Sequence, residues 1–430
     1  MEVMIAVPLV LPDTFLGVGA LEERVEDWGR RVMRQALAAA WVAQAVWRPG
    51  GCCPACGVAE SRPAGRKGRQ VQTVFGPVSL PRQRRRCAGC ARHYQPDDAV
   101  LGPELGAGQL SPHLRELAVL CGVSWPYRQA AEVLGRLRGA SLAAETVRAV
   151  VGSVGTAGAA AQTHEAAAAI APPATAPAPL AVPARLEVEL DGAWVHSHDT
   201  AHGLEVKVGV VHAGSERVGT TRRALVHRAY AATARGVSAF GPLVTAVIEA
   251  RNGFAAVVSE VFGDGAAWIW RLGGDLLPEA TWVLDRWHLT EARRRALRAA
   301  LPDKAVRAPW NERVEARLEV GDVPGAVAVL AEVAAVAPHP ALTAFAGYLT
   351  TLAPAIPNYA ERRAAGQRIG SGGIEKGVDV VVNRRLKGRR GMRWWRDRIE
   401  GIVALRVALR VALLNDAWDD LVPPALTTHQ

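Results

Sequence analysis

Three carboxylates in distinctive local contexts are the residues of this sequence best suited to chemistry. Asp191 ends the alternating run Leu-Glu-Val-Glu-Leu-Asp, Asp264 stands in Phe-Gly-Asp-Gly after an apolar stretch, and Glu375 follows Gly-Ser-Gly-Gly-Ile. Carboxylates are hard oxygen ligands of the kind that hold Mg²⁺ or Mn²⁺. Two such ions, about 3.5–4 Å apart, can clamp the attacking and leaving oxygens of a phosphodiester. The pattern therefore predicts metal-dependent phosphoryl transfer, with Asp191, Asp264 and Glu375 as catalytic acids.

A fourth acid, Asp285, competes with Asp264 for the place of the second catalytic acid. Asp285 also ends a predicted strand, and it forms an Asp-x-x-His motif with His288. Chain order favours Asp264, because its strand follows the first long predicted helix. Asp285 can instead cap the helix that starts near Trp287. His288 is then an accessory residue that supports the site, or simply a packed or capping histidine.

Four of the six cysteines form two Cys-x-x-Cys pairs, namely Cys53, Cys56, Cys87 and Cys90. Paired cysteines of this kind in a cytosolic chain predict a metal site rather than disulfides, and four thiolates suit structural Zn²⁺. Free buried thiols are the alternative. The intervening residues predict strands 70–75 and 78–86 with a break at Gly76-Pro77, so we expect a zinc ribbon over residues 50–109. Cys121 lies in an apolar helical run and is expected in the core.

A strongly basic segment with interleaved tryptophans follows Glu375. Its predicted DNA-contacting residues are Arg384, Arg385, Lys387, Arg389, Arg390, Arg393, Trp394 and Trp395. Arginines can contact backbone phosphates, and tryptophans can stack on unpaired bases. A helix starting near Glu375 would bring the segment close to the metal site. The alternative is a solvated charged face.

Apolar periodicity and breaker residues divide the rest of the chain. Residues 1–49 are predicted to form an N-terminal helix, over 21–47. In residues 110–156, short helices at 127–134 and 141–147, with Ser141 as N-cap, suit a helix-turn-helix that reads DNA, although plain helical packing explains them equally. Residues 157–184 are predicted to be an alanine-rich helix running into an extended proline linker.

Beyond the linker the pattern becomes α/β over residues 185–292. The predicted elements are strands 185–195, 204–211 and 222–230, helix 236–250, strand 254–262, helix 266–277 and strand 281–284. A helical insertion over residues 293–368 then precedes the Glu375 helix, the basic segment and a C-terminal helix in residues 369–430.

The bulk composition favours a polyanionic partner. The 430 residues carry a formal net charge of +10 with a sequence pI near 9.8, which suits nucleic acid. The chain opens without the pattern of a secretory signal, and prolines interrupt its alanine-rich stretch too often for a membrane span. We therefore expect a cytoplasmic, nucleoid-associated protein with no membrane partner.

From Cys53 to Trp395 the chain resembles bacterial insertion-sequence transposases of the DDE type, in the group with an N-terminal zinc ribbon and Mutator-like catalytic signatures. The matching motifs are the two cysteine pairs, Leu-Asp-Gly at Asp191, Lys-Val-Gly at 207–209, Gly-Asp-Gly-Ala-Ala-Trp-Ile-Trp at 263–270, Val-Leu-Asp-Arg-Trp-His at 283–288 and the block 371–395. The predicted strand and helix order is also that of a ribonuclease H-like mixed sheet.

The resemblance implies a ribonuclease H-like fold with a helical insertion before the last acid, and metal-dependent DNA strand cleavage and transfer. By motif, Asp191, Asp264 and Glu375 are its first, second and third acids, while Asp285 and His288 match its accessory motif. Transposon ends, target DNA and further copies of the chain would be the partners. Two rivals remain: a ribonuclease H-like nuclease or resolvase that hydrolyses without joining, and a non-catalytic zinc-ribbon repressor derived from a transposase.

Overall fold

The protein is a mixed α/β chain that forms two compact units, which divide between Gly158 and Ala159. The structure is a computed structural model, and it describes residues 2–47, 51–105, 109–170, 181–218, 220, 222–388 and 391–415. Within these ranges, no helix combines the length and the apolar character needed to cross a membrane. Arg389, Arg390 and parts of the predicted linker and C-terminal segment lie outside the described residues.

The first unit contains a three-stranded sheet and several helices. Its elements are α1 (Val18–Ala43), β1 (Ser61–Thr73), β2 (Gly76–Cys87), β3 (His93–Tyr94), α2 (Asp98–Leu105), α3 (Pro112–Ser124), α4 (Tyr127–Arg138) and α5 (Ala144–Ile170), which continues into the second unit. The sheet is antiparallel, in the order β1-β2-β3. Apolar side chains of β1, β2 and α2 form its core with Leu37, Ala38 and Trp41 of α1.

Two details of the predicted first unit are wrong. The break was expected at Gly76-Pro77, but both residues pair within β2, because the tight turn already closes between Thr73 and Gly76. Gly76 has φ +99°, which a glycine adopts without strain. Ser141 does not cap α5, since that helix begins three residues later at Ala144. The alanine-rich part of the predicted linker is helical as far as Ile170.

The second unit is built on a mixed sheet surrounded by helices. Its strands are β4 (Arg185–Val195), β5 (Leu204–His212), β6 (Ser215–Val218), β7 (Arg222–Leu225), β8 (Ala229–Thr233), β9 (Val258–Gly263) and β10 (Thr281–Leu284). Its helices are α6 (Val237–Glu249), α7 (Ala267–Leu276), α8 (Arg286–Ala300), α9 (Lys304–Glu319), α10 (Val323–Val336), α11 (Pro340–Thr351), α12 (Tyr359–Ala364), α13 (Gly372–Val378), α14 (Arg384–Leu386) and α15 (Arg396–Asn415).

The five-stranded sheet has the order β10-β9-β4-β5-β8. The β4–β5 and β5–β8 pairs are antiparallel, whereas β4–β9 and β9–β10 are parallel. The strand predicted over 222–230 is wrong, because this stretch divides between β7, which pairs with β6 in a separate hairpin, and β8, which joins the main sheet. The strand predicted over 254–262 is shorter, since a 3₁₀ turn at Gly253–Ala255 precedes β9.

The two faces of β4 differ in chemistry, because side chains alternate along a strand. Leu186, Val188 and Leu190 belong to an apolar cluster that includes Phe240 of α6 and Ile269 of α7. The opposite face carries Glu187, Glu189 and Asp191. Helices α8 to α11 pack on one another through a separate apolar cluster, which also takes in β10. The acids of β4 therefore lie on the face of the sheet opposite the apolar cluster of α6 and α7.

Candidate active site

Asp191, within β4, and Asp264, directly after β9, lie just beyond the point where these two parallel strands stop pairing. Glu187 pairs with Glu260, and Glu189 pairs with Phe262. Continuing this register by two residues brings Asp191 level with Asp264, one residue past the end of β9. Adjacent strands lie about 4.8 Å apart. Leu284 pairs with Gly263 in the same way, which puts Asp285 one step beyond the β9–β10 ladder, level with Asp264. The sheet thus aligns three aspartates across β4, β9 and β10.

Asp285 is buried, and both of its carboxylate oxygens accept hydrogen bonds. One oxygen accepts a hydrogen bond from the His288 backbone amide at 2.9 Å and lies 3.1 Å from His288 Nδ1. The other accepts from the Ser371 amide at 2.6 Å and from its hydroxyl at 2.8 Å. Asp285 therefore is the N-cap of α8 and also secures the segment that leads to α13. Burial opposes ionisation, but these hydrogen bonds outweigh it and hold the pKa of Asp285 well below its usual range.

Glu375 lies in the first turn of α13, which packs against β4 and β5. The Ile374 amide donates to Glu189 Oε2 at 2.8 Å, and this bond fixes the start of the helix on the sheet. A Cβ at Gly373 would lie 2.3 Å from Glu189 Oε1, so a glycine is needed for this close approach. The Glu375 side chain itself is exposed.

The acids influence each other electrostatically. Burial raises the pKa of Asp191, and the carboxylates of Asp264 and Glu375 raise it further, against a hydrogen bond from Gly192 and the charge of His288. The neighbouring Asp285 carboxylate raises the pKa of His288, and Asp264 and Asp191 add to this shift. The acids therefore favour the protonated form of His288, the side chain next to Asp285. The arrangement is a concentration of negative charge at one end of the sheet.

A buried charge network, which sequence reasoning missed, underlies the acids on the same face. Three carboxylates, Glu187, Glu189 and Glu260, are almost completely buried. Arg368 reaches Glu187 at 2.9 Å and Glu189 at 2.5 Å, and Arg362 reaches Glu260 at 2.7 Å. The remaining members are Arg185, which pairs with Glu260, and His212, whose Nε2 lies 2.8 Å from Glu189 Oε1. In the sequence, the only indication of this network is the alternation of acids along β4. That alternation is typical of a strand with an exposed polar face, and therefore predicts solvated rather than buried glutamates.

Tyr348 of α11 was also missed. Its hydroxyl donates to the Asp264 carbonyl at 3.2 Å, and a Cβ at Gly265 would lie 2.6 Å from the same hydroxyl oxygen. Burial raises the pKa of Tyr348, with a further contribution from Asp264. Gly265 has φ +97°, so a glycine after Asp264 provides both the turn and the space for Tyr348. The helical insertion therefore helps to fix the second aspartate.

The four paired cysteines come together as predicted. The ligand atoms of Cys53, Cys56, Cys87 and Cys90 all lie within 4.8 Å of one another. The Cys53–Cys90 and Cys56–Cys87 sulfurs are 3.6 and 3.5 Å apart, close to the roughly 3.8 Å edge of a tetrahedron with 2.3 Å Zn–S bonds. The cluster could bind a structural metal such as zinc. Cys121 is buried in α3, as expected of a core residue.

Backbone amides next to Cys87 stabilise the thiolate form of this residue. The Cys90 and Gly89 amides donate to Cys87 Sγ at 3.5 and 3.3 Å. The amide of Cys90, with contributions from Gly89 and neighbouring thiols, lowers the pKa of Cys87 to about 7 against burial. A metal ligand must be deprotonated. The loop therefore favours the ionised form of Cys87, whereas in Cys56 the Val58 amide lowers the pKa but the Cys87 and Cys90 thiols outweigh it and raise the pKa to about 12.

Among the described residues, these cysteines are the only group of three or more Cys, His, Asp or Glu side chains with all ligand atoms within 4.8 Å of one another. Asp191, Asp264 and Glu375 do not meet that spacing. Their oxygens converge on one region without forming a closed metal site.

The basic segment is only partly available to a ligand. The exposed side chains are Arg384, Lys387, Arg393 and Trp395. Trp395 is 47% exposed and stacks on His198 with ring centroids 4.7 Å apart. The helix expected from Glu375 reaches only the start of this block: a π-helical turn at Asp379–Asn383 joins α13 to α14, which ends at Leu386.

Arg385 and Trp394 are buried, which does not fit the predicted direct contact with DNA. The Trp394 indole donates to the Leu386 carbonyl at 3.0 Å, and the Arg385 guanidinium lies 5.0 Å from the indole ring centroid. The Trp394 backbone bonds to His196 and His198 at the tip of the β4–β5 hairpin. This long-range contact turns both side chains inward.

Residues 64–413 match the uncharacterised protein family UPF0236, and the chain belongs to that family. No curated protein matches the chain. The family's description carries no activity, so the transposase resemblance stays a prediction.

Proposed function

We propose that this protein is a DNA transposase that cuts and joins DNA strands with Asp191, Asp264 and Glu375 as its catalytic acids. The observation that carries the proposal is the β4–β9 register, which ends at Glu189–Phe262 and, continued two residues, brings Asp191 level with Asp264, together with the packing of the Glu375 helix on β4 and β5. Three acids from distant parts of the chain meet at one end of one sheet. Among the described residues none of the three forms a salt bridge, and Asp191 and Asp264 accept hydrogen bonds from the local amides of Gly192 and Ala266, which leaves carboxylate oxygens available to a cation.

The fold supports a ribonuclease H-like core. Three antiparallel strands continue into two parallel ones, and β4, the first in the chain, lies at the centre of the sheet. The helices α8 to α12 lie in the chain between β10 and the Glu375 helix, where the resemblance expects an insertion.

The donor set suits a hard divalent cation. Asp191, Asp264 and Glu375 offer carboxylate oxygens, and burial, with the nearby Asp264 and Glu375 carboxylates, raises the pKa of Asp191. These residues would hold Mg²⁺ or Mn²⁺, which when bound supply Lewis acidity toward a phosphodiester. Asp285 and Ser371 position the Glu375 helix, while His288 places a positive charge beside the acids. Asp285 is thus a positioning residue, and Asp264 is the second acid.

The exposed basic residues support DNA as the partner. Arg384, Lys387 and Arg393 present cations that can contact phosphates, and Trp395 presents a ring face. In this proposal the cysteine ribbon binds zinc and, with the helices between residues 110 and 156, recognises transposon ends. The enzyme acts on the nucleoid as a homo-oligomer that brings two ends and the target together.

The test is cleavage and joining of DNA that carries the ends of the element encoding this chain. Wild type should cut it with Mg²⁺ or Mn²⁺ and lose activity in EDTA. Asp191→Asn, Asp264→Asn and Glu375→Gln should each lower cleavage at least a thousandfold without loss of DNA binding. Asp275→Asn, at an exposed position of α7, is the matched control.

The outcomes separate the rival functions. Metal-dependent cleavage that never yields joined strands would indicate a nuclease or resolvase. Specific binding of the ends without cleavage in either metal would indicate a repressor. Cleavage that survives all three acid substitutions would refute the proposed site.

A further inference from the structure

The arginines of helix α8 are of two kinds: some face inward and pair with acids, and others are exposed on the outer face. Arg286 and Arg293 face inward, where Arg286 reaches Glu315 at 2.8 Å and Glu319 at 3.1 Å, and Arg293 reaches Glu315 at 2.5 Å. Arg293 is completely buried. Acidic side chains of α9 therefore neutralise the inner face.

The outer face of α8 carries arginines that the fold does not neutralise. Arg294, Arg295 and Arg298 are exposed. Arg294 pairs with Glu291 at 3.0 Å, but in the described chain Arg295 and Arg298 have no acidic partner. Like charges three or four residues apart on a helix repel each other. Glu291 offsets only one of these three positive charges, and the remaining excess is a cost to the isolated helix that a bound polyanion would reduce.

This outer face begins at the candidate active site. With 100° between successive residues, Trp287, Glu291, Arg294, Arg295 and Arg298 fall within an arc of about 100° on the helix surface. His288, whose pKa the nearby Asp264 and Asp191 help to raise, lies at the edge of this arc. From His288 to Arg298 the helix rises about 15 Å, which equals the rise of four to five base pairs along the axis of duplex DNA at about 3.4 Å each.

We propose that this outer face of α8, defined by Trp287, Arg294, Arg295 and Arg298, binds the phosphate backbone of duplex DNA next to the reacting phosphodiester. The inference rests on the proposed function and adds the path of the DNA. Guanidinium groups match phosphate geometry through paired N–H donors. Apart from Trp287 at its start, the face lacks the large apolar side chains that form the core of a protein–protein interface.

The experiment compares two double variants that each remove two positive charges from exposed helical sites. Arg295→Gln with Arg298→Gln changes the outer face of α8. Arg313→Gln with Arg317→Gln is the control on α9, where both arginines are exposed and already paired, with Glu332 and Asp322. Binding of a labelled 30-base-pair duplex of random sequence is measured by anisotropy between 50 and 200 mM salt.

Loss of two phosphate contacts should reduce the slope of log K against log salt by about 1.8. Across this fourfold salt range, wild type should then lose about tenfold more affinity than the α8 variant. The control variant should keep the wild-type slope, and Arg295→Lys with Arg298→Lys should largely restore it. Unchanged thermal unfolding would show that the α8 variant is folded.

An α8 variant with the slope of the control would overturn the inference, even if wild type cleaves DNA and the proposed function stands. An unchanged slope with loss of self-association in light scattering would assign the face to a second copy, and would also overturn it. A wild-type protein that binds no DNA at any salt concentration would overturn both proposals.

Discussion

Replacing Asp285 by asparagine separates a positioning residue from a metal ligand, because Asp285 and Asp264 differ in what their carboxylates hold. Each oxygen of Asp285 faces two donors, from His288 on one side and Ser371 on the other. Asp264 accepts one local hydrogen bond, from the Ala266 amide at 2.9 Å. An asparagine keeps one acceptor oxygen and turns an NH₂ group toward two donors, whichever way it is oriented.

The loss of stability expected for Asp285→Asn follows from these contacts. Two hydrogen bonds to a charged acceptor are lost, each worth about 1.5–3 kcal/mol, but rotation of the Ser371 hydroxyl relieves part of the cost, so we expect a loss of about 2–4 kcal/mol. In a unit of this size, 1 kcal/mol shifts the unfolding midpoint by about 2–4 °C, so Asp285→Asn should lower it by roughly 5–10 °C. Asp264→Asn should change stability by less than about 1 kcal/mol.

The pH dependence of this difference has a definite sign. Hydrogen bonds depress the pKa of Asp285 in the folded protein, so its contribution is present above the unfolded pKa, near 3.9. The contribution is lost only as pH falls through the depressed value. The part of the stability gap between wild type and Asp285→Asn that this carboxylate contributes should therefore be constant above about pH 5 and shrink in acid, whereas the part from His288, whose pKa Asp285 raises, should be lost as pH rises through that raised pKa.

Scanning calorimetry and DNA cleavage together provide the assay, with Asp275→Asn as control. Cleavage is measured well below the lowest unfolding midpoint, over a range of Mn²⁺ concentrations. Asp285→Asn should retain reduced activity with an unchanged metal midpoint, whereas Asp264→Asn should be inactive. A stable but inactive Asp285→Asn beside an active Asp264→Asn would refute the reasoning and make Asp285 the second acid.

Three further predictions follow from the geometry of both units. Asp191→Asn should stabilise metal-free protein by an amount that grows as pH rises from about 4 through the raised pKa of Asp191 and then levels off, because burial makes the ionised carboxylate costly; thermal melts with the same difference at every pH would contradict this. Gly373→Ala should abolish cleavage, since its Cβ would lie 2.3 Å from Glu189, whereas Gly347→Ala on α11 has open space and should not. Cys53→Ser should lose the single zinc ion in elemental analysis, and replacement of the cysteine in α3 should not.

Local sequence patterns predicted the strands that carry the aspartates. Alternation fixed β4 over Arg185–Val195, and a short apolar run before an acid fixed β10 over Thr281–Leu284. Both signals are local, because a strand's period and its terminating residue lie within a few positions. The paired cysteines were equally predictable, since their spacing reflects a local loop that bonds its own sulfurs.

Long-range contacts could not be predicted in the same way. Glu187 and Glu189 alternate with apolar residues as on a solvated strand, yet Arg368, about 180 positions later, buries them. Trp394 looked like part of an exposed basic block, but its backbone pairs with the β4–β5 hairpin. In both cases the deciding partner is distant in sequence, and no periodicity encodes it.

The buried charges beneath the acids are best understood as a positioning device. Ion pairs taken out of water rarely stabilise a fold more than apolar residues of the same size. Glu189 nevertheless bonds Arg368 and the Ile374 amide at once, and these two contacts lie on either side of Gly370, Ser371, Gly372 and Gly373. A single glutamate on β4 therefore fixes both ends of the glycine-rich segment, two residues before Asp191 on the same face. Because a charged pair tolerates few alternative arrangements, it sets the orientation of α13, and with it Glu375, relative to the strand that carries the first acid.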